Sequence, residues 1–412
     1  MSSERGSAQN TEHSGADETP PLWEFVPLGS FCAPKSSSEQ LVRKWGALKR
    51  LLKRDTAAEE SPFKPEADLQ RLPGTLRERL TAPVEWADAL DALELALNSW
   101  SGAEGEPRVV FVVGPPWSGC AGILRAWAAA HQTACIEAPA PEDILQRDFT
   151  SIQIPQAQKQ AWVMPELERC YLRHAEGLDL VRHFLENAMC GAYGPGIIGC
   201  DSWAWAYLQY VWPAHSASVL TLQGLDGARL SRLLRQLSVA RVRENFCFKS
   251  AGNGNTILCA EDDANARATA AITHLAVRAR GNVGLALHYW RDALRSEPES
   301  EEEQKSEEDT TADKTRTVWV ADLASSPVPP HDDTDNIAFI LHTLLLHHGV
   351  EEELLPELLP MSRQHAMATL LRLRDSGILQ QQNNLWYVAP LAYHGTCTYL
   401  REHNYLMDAF QG

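Results

Sequence analysis

Residues 108–129 read RVVFVVGPPWSGCAGILRAWAA: an apolar run, a glycine-cornered loop and the start of an amphipathic helix. Gly114 and Gly119 stand five positions apart, the frame of a loop whose backbone N–H groups wrap a phosphate. Such a loop also needs a lysine to neutralise the anion and a Ser or Thr to hold magnesium. Cys120 and Ala121 occupy those two places. A neutral thiol cannot replace an ammonium facing several phosphate charges. Pro115 and Pro116 remove two further donors, and Arg125 lies about one and a half helical turns away, so it would have to fold back to substitute.

Two more places carry groups capable of chemistry. In AWVMPELER an apolar run ends at Pro165 and is followed by Glu166 and Glu168, carboxylates at the end of an expected strand. A helix first turn that favours negative charge would account for both equally well. In GCDSWAW, Asp201 and Ser202 are polar residues at the end of another apolar run; either could cap the aromatic helix that follows. Trp203, Trp205, Tyr207, Tyr210 and Trp212 lack interleaved cations, so they read as packing and not as a base-stacking platform. The pair His347–His348 ends a helix, where the dipole favours it. No Ser-His-Asp or Cys-His constellation emerges, and neither a catalytic residue nor a metal ligand is assigned.

The elements that would position these groups alternate strand with helix from residue 108 to about 237, which implies a parallel, doubly wound α/β sheet. NFCFKSAGNGNTILCA follows as a hairpin turning at Asn253–Gly254, then two helices, the second GNVGLALHYWRDALR. Residues 296–314 hold nine acidic and two basic side chains, a solvated linker. From 334, three helices precede ILQQQNNLWYVAP, a hairpin with Asn383–Asn384 at its tip, and a last helix runs through YLREHNYLMDAF; three helices and a β-wing make a winged helix. The expected division is a disordered tail (1–36), a basic amphipathic helix and linker (37–80), an α/β domain (81–245), hairpin and lid (246–296), an acidic linker with a short strand (297–333) and the winged helix (334–412).

The order of these parts resembles the AAA+ and STAND branch of P-loop ATPases, in the layout of origin-recognition proteins, over roughly residues 80–412. The resemblance implies a nucleotide site at Gly114, Gly119, Cys120, Ala121, Glu166, Asp201 and Ser202, with ATP and magnesium as its ligands. It also implies a lid arginine, where this chain has Gly284 flanked by Arg280 and Arg291. The missing lysine, hydroxyl and arginine point to a degenerate member, a pseudo-ATPase that works by regulation or scaffolding through a protein partner. A divergent ATPase and a winged-helix DNA-binding regulator are the alternatives.

Bulk properties bear on the partner. A net charge of −17 disfavours non-specific nucleic-acid binding. The helix SRQHAMATLLRLRDSG offers Arg363, His365, Arg372 and Arg374 against Asp375, too thin a basic face for DNA, with Leu370, Leu371 and Leu373 expected inward. Arg43, Lys44, Trp45, Lys49 and Arg50 belong to a basic helix suited to an acidic partner or an anionic membrane surface. Nine scattered cysteines without a C-x-x-C read as reduced thiols of a cytoplasmic protein.

Overall fold

The computed structural model describes residues 20–35, 68–100, 109–154, 161–212, 217–239, 246–259, 268–298, 316–330 and 334–411. The basic helix with Arg43, Lys44, Trp45, Lys49 and Arg50, the tail 1–19 and most of the acidic linker lie outside the described residues.

Strand β1 (Phe25–Pro27) pairs antiparallel at the edge of a sheet whose other five strands are parallel. These are β3 (Val109–Gly114), β4 (Ala134–Cys135), β5 (Trp162–Met164), β6 (Gly196–Asp201) and β7 (Ser218–Leu222). Their order is β1-β7-β3-β6-β5-β4. Side chains alternate cleanly between the two faces. Val112, Val163 and Ile197 join a core with Ile123 and Leu124 of helix Cys120–Ala130 and Leu230, Leu233 and Leu234 of helix Gly227–Val239. Phe111, Val113, Met164 and Ile198 face the other way, onto Val181 and Phe184 of helix Asp179–Met189 and Trp205 of helix Ser202–Val211. Burial on both faces is why the strands read as unbroken apolar runs. With β3, β6 and β5 adjacent, the loops at their carboxyl ends gather on one edge, where open α/β sheets bind ligands. Strand, glycine-framed loop and helix at that edge make this an α/β P-loop fold.

A second sheet has the order β2-β10-β11-β8-β9. Its members are β2 (Gln70–Arg71), β8 (Phe246–Ser250), β9 (Thr256–Cys259), β10 (Leu294–Ser296) and β11 (Arg316–Val320). Helices Ala270–Arg278 and Val283–Ala293 pack with it, Phe248 meeting Trp290 at 5.2 Å between ring centroids. Cys247 and Cys259 stand opposite each other in the β8–β9 register and are joined by a disulfide. That corrects the expectation of reduced thiols throughout: direct cross-strand pairing brings together two sulfurs that are twelve residues apart in sequence.

In the C-terminal part, helices Thr334–Leu346, Leu355–Leu358 and Arg363–Asp375 surround a sheet of order β12-β14-β13. The strands are β12 (Val350–Glu351), β13 (Leu379–Gln382) and β14 (Leu385–Val388). Asn383 and Asn384 take the two positive φ angles, 50° and 67°, that a two-residue hairpin turn requires. Leu370 and Leu373 are fully buried, but Leu371 is 39% exposed, because successive helical positions turn away from the core. The last helix is shorter than expected and ends at Glu402. Among the described residues no helix is long and apolar enough to cross a membrane.

Candidate functional site

β3 ends at Gly114 and the chain turns through Pro115–Gly119 into helix Cys120–Ala130. Gly119 holds φ +87°, and a Cβ there would lie 2.3 Å from the ring of Trp86, so the loop corner tolerates glycine alone. Trp117 also lies in the left-handed region, at φ 63°, uncommon for so bulky a residue. Cys120 opens the helix and is buried; its sulfur accepts a hydrogen bond from the Ser118 hydroxyl at 3.3 Å. Burial pushes the thiol up to about 11, so it stays neutral near pH 7. Arg125 does not fold back to the loop. Its guanidinium donates to Glu166 at 2.6 Å and to Glu137 at 3.2 Å.

The opposite wall is acidic. Glu168, in the short helix Leu167–Arg169 after β5, is buried and accepts the backbone N–H of Asp201 at 3.0 Å. Burial first, and then the charge of Asp201, raise its pKa to about 7. Asp201 closes β6 and uses both carboxylate oxygens. One caps helix Ser202–Val211 by accepting from the Trp203 N–H at 2.9 Å, and the other accepts from His348 Nδ1 at 3.0 Å. Burial disfavours the His348 imidazolium, but the hydrogen bond and charge of Asp201 outweigh it and raise the pKa.

Two other parts of the chain close over the loop. Asn282 caps the second lid helix and donates through Nδ2 to the carbonyl of Pro116 at 2.7 Å, while the Gly284 N–H donates to the carbonyl of Trp117 at 3.2 Å. From the C-terminal part, the ring of Trp117 meets Tyr393 edge-on at 5.2 Å and His348 at 6.0 Å. The space left is a cavity of about 200 Å³ between loop residues 114–122 and Pro165, Glu166, Glu168, Cys200, Asp201 and His348.

Six of the residues singled out in the sequence line this cavity together: Gly114, Gly119, Cys120, Ala121, Glu166 and Asp201. Ser202 does not; its hydroxyl donates to the buried carboxylate of Asp408. Arg363 and Arg372 lie exposed on the third C-terminal helix, away from the cavity, with Arg363 3.9 Å from Glu352. The helix dipole does not explain the histidine pair. His347 is buried and neutral, pushed down to about 3 chiefly by desolvation, and accepts the N–H of Arg173, whereas His348 belongs to Asp201. Sequence reasoning missed His348 as a cavity residue because its partner is 147 positions away. Its one local signal is the glycine that follows, at φ +98°.

No family model and no curated protein matches this sequence. Among solved structures, the RuvB Holliday junction branch migration motor of Thermotoga maritima is 15% identical. That likeness covers 76% of this chain and 97% of RuvB, with a TM-score of 0.33. A Walker-type ATPase of Pyrococcus abyssi is 11% identical over 77% of this chain and 95% of that one, with a TM-score of 0.27. Neither likeness extends beyond the fold.

Proposed function

We propose that this chain is a regulatory or scaffolding protein built on an ATPase-type domain of the AAA+/STAND kind that no longer hydrolyses ATP, and that it acts in the cytoplasm through protein partners. The observation that carries the reading is the charge of the cavity. Where a triphosphate and magnesium would need cations and a hydroxyl, the loop offers a protonated thiol at 120 and a methyl at 121. The Arg125 guanidinium is bound to Glu166 and Glu137. Facing the loop are Glu168 and Asp201, which repel phosphate oxygens, with His348 already committed to Asp201. A helix N-terminus contributes only about half a charge, too little to offset these losses. The residues present do not fit Mg-ATP.

The topology of helices and hairpin in residues 334–411 supports a winged-helix module. The exposed Leu371 beside Arg372 supports its use for protein contacts over a phosphate backbone. Calorimetric titration of the full chain with Mg-ATP, paired with a phosphate-release assay, tests the proposal. The expected result is no turnover and no binding tighter than about 1 mM. Turnover that disappears in Glu166→Gln would overturn it.

A further inference from the structure

We propose that the contact between Asp201 and His348 is a proton-controlled latch that holds the C-terminal module, residues 334–411, closed over the loop cavity. The inference deepens the reading above, and rests on it, in assigning the cavity to regulation.

His348 ties the module down at two points. Its carbonyl accepts from Arg169 Nη2 at 2.8 Å, and its imidazole reaches Asp201 at 3.0 Å. Its side chain is 34% exposed, so solvent protons reach it, while Asp201 is buried. Two of the module's other ties to this wall are insensitive to pH near neutrality. Tyr171 donates to the carbonyl of Leu346 at 3.0 Å, and Trp203 Nε1 donates to the hydroxyl of Tyr393 at 2.9 Å. Burial pushes both phenols well up. A titrating contact therefore sits among these fixed ones, in the wall of the cavity, and the bond of Ser202 to Asp408 is a second tie that titrates.

The groups facing it set the direction of the response. Glu168 lies behind Asp201, and Asp408, bonded to Ser202, lies beyond it on the module's own last segment. Desolvation, with Asp201's charge as a further cause, raises each of these carboxyls to about 7. The thiols of Cys120 and Cys200 are pushed up and stay neutral. The guanidinium groups of Arg169 and Arg173 lie near His347, and that of Arg169 near His348, and disfavour their imidazolium forms. A raised pKa in the closed form means stabilisation at low pH that is lost as pH rises through that value. His348, Glu168 and Asp408 all have that sign: alkalinisation removes the imidazolium and adds carboxylates beside Asp201. His342 and His347, pushed down to about 4 and about 3, have the opposite sign and weaken the closed form only on acidification below the ordinary histidine range. The latch is therefore closed in mildly acidic solution and opens as pH rises through the raised value of His348.

Hydrogen exchange of the full-length chain tests this, at pH 6 and pH 8.5 with rates corrected for intrinsic exchange. In the wild type, protection of segments 114–122 and 346–351 should fall about tenfold at the higher pH, the factor of one unit of differential protonation. Strand 109–113 should be unchanged. His348→Ala should be unprotected in both segments at both pH values, and His348→Arg, with a permanent cation, protected at both. If His348→Ala does not fold, Asp201→Asn keeps the cap on Trp203, removes the charge and should likewise lose the pH response. Equal wild-type protection at the two pH values, or a pH response undiminished in His348→Ala or Asp201→Asn, would overturn the latch. Phosphate release from Mg-ATP is measured separately, so a failed latch and a failed pseudo-ATPase reading are distinguishable.

Discussion

The backbone N–H of Gly284 donates to the carbonyl of Trp117, and a Cβ at position 284 would stand 2.2 Å from that oxygen. Helix Val283–Ala293 can therefore approach the loop after β3 this closely only because position 284 lacks a side chain. Where the AAA+ resemblance implies an arginine reaching a nucleotide, the structure has a backbone contact that locks lid to loop. The left-handed Trp117 aims its carbonyl at that contact.

Gly284→Ala forces the lid away from a backbone atom that has no rotamer with which to yield. Alanine normally favours a helix over glycine by about 1 kcal/mol, so the sign of the result is diagnostic. Overpacking costs about 1–3 kcal/mol, and a net loss of up to about 2 kcal/mol in urea denaturation is expected. A stabilised variant would show that lid and loop are not in contact in solution.

Restoring the loop residues tests how far the site has diverged. In Cys120→Lys/Ala121→Thr, the new ammonium regains a charge-assisted bond to phosphate worth about 1.5–3 kcal/mol. Calorimetry should detect that gain over the wild type. Phosphate release should stay at background, because Glu166 remains held by Arg125 at 2.6 Å and is not free to activate water. Turnover in the double variant would place the defect in residues 120 and 121 alone.

Much of the central sheet was legible because its inner strands β3 and β6 are buried on both faces: VVFVV and GIIGC leave no polar position to confuse the pattern. The hairpin at Asn383–Asn384 was legible for a local reason, the two left-handed residues its turn demands. Loop residues Gly114 to Ala121 were found by spacing within a single turn. His348 and the role of Gly284 were not, because each acts through a contact more than a hundred residues away, and the glycine after His348 marks a helix end as readily as a cavity residue. The Cys247–Cys259 bridge was missed for the same reason in miniature: scattered thiols show no pairing until strand register sets two of them opposite.

Docking of the C-terminal module can also be probed at a contact whose own groups do not titrate near neutrality. Tyr393→Phe deletes the hydroxyl that accepts from Trp203 Nε1 and leaves that donor buried, since Trp203 is 1% exposed. An unsatisfied buried donor costs about 1–3 kcal/mol. Thermal unfolding should show that loss at pH 6 and pH 8.5 alike. A cost that varies with pH would mean that the bond is coupled to Asp201 and not independent of it.

Glu168 offers the most direct electrostatic test. Its carboxyl, ordinarily near 4.5, is raised to about 7 by burial and then by Asp201. Folding therefore favours the protonated acid, and the contribution to stability is fully present below pH 4.5 and lost as pH rises through about 7. Glu168→Gln keeps an oxygen to accept the Asp201 N–H but cannot ionise. At pH 5 the variant and the wild type should unfold at similar denaturant concentrations. At pH 8 the variant should be the more stable, by on the order of 3 kcal/mol if the whole shift acts through folding. The gain should appear between those two values and level off above them. Urea midpoints collected across that range check it. A variant no more stable than the wild type at pH 8 would mean that the wild-type carboxylate finds a compensating cation when it ionises, and His348 is the group placed to supply one.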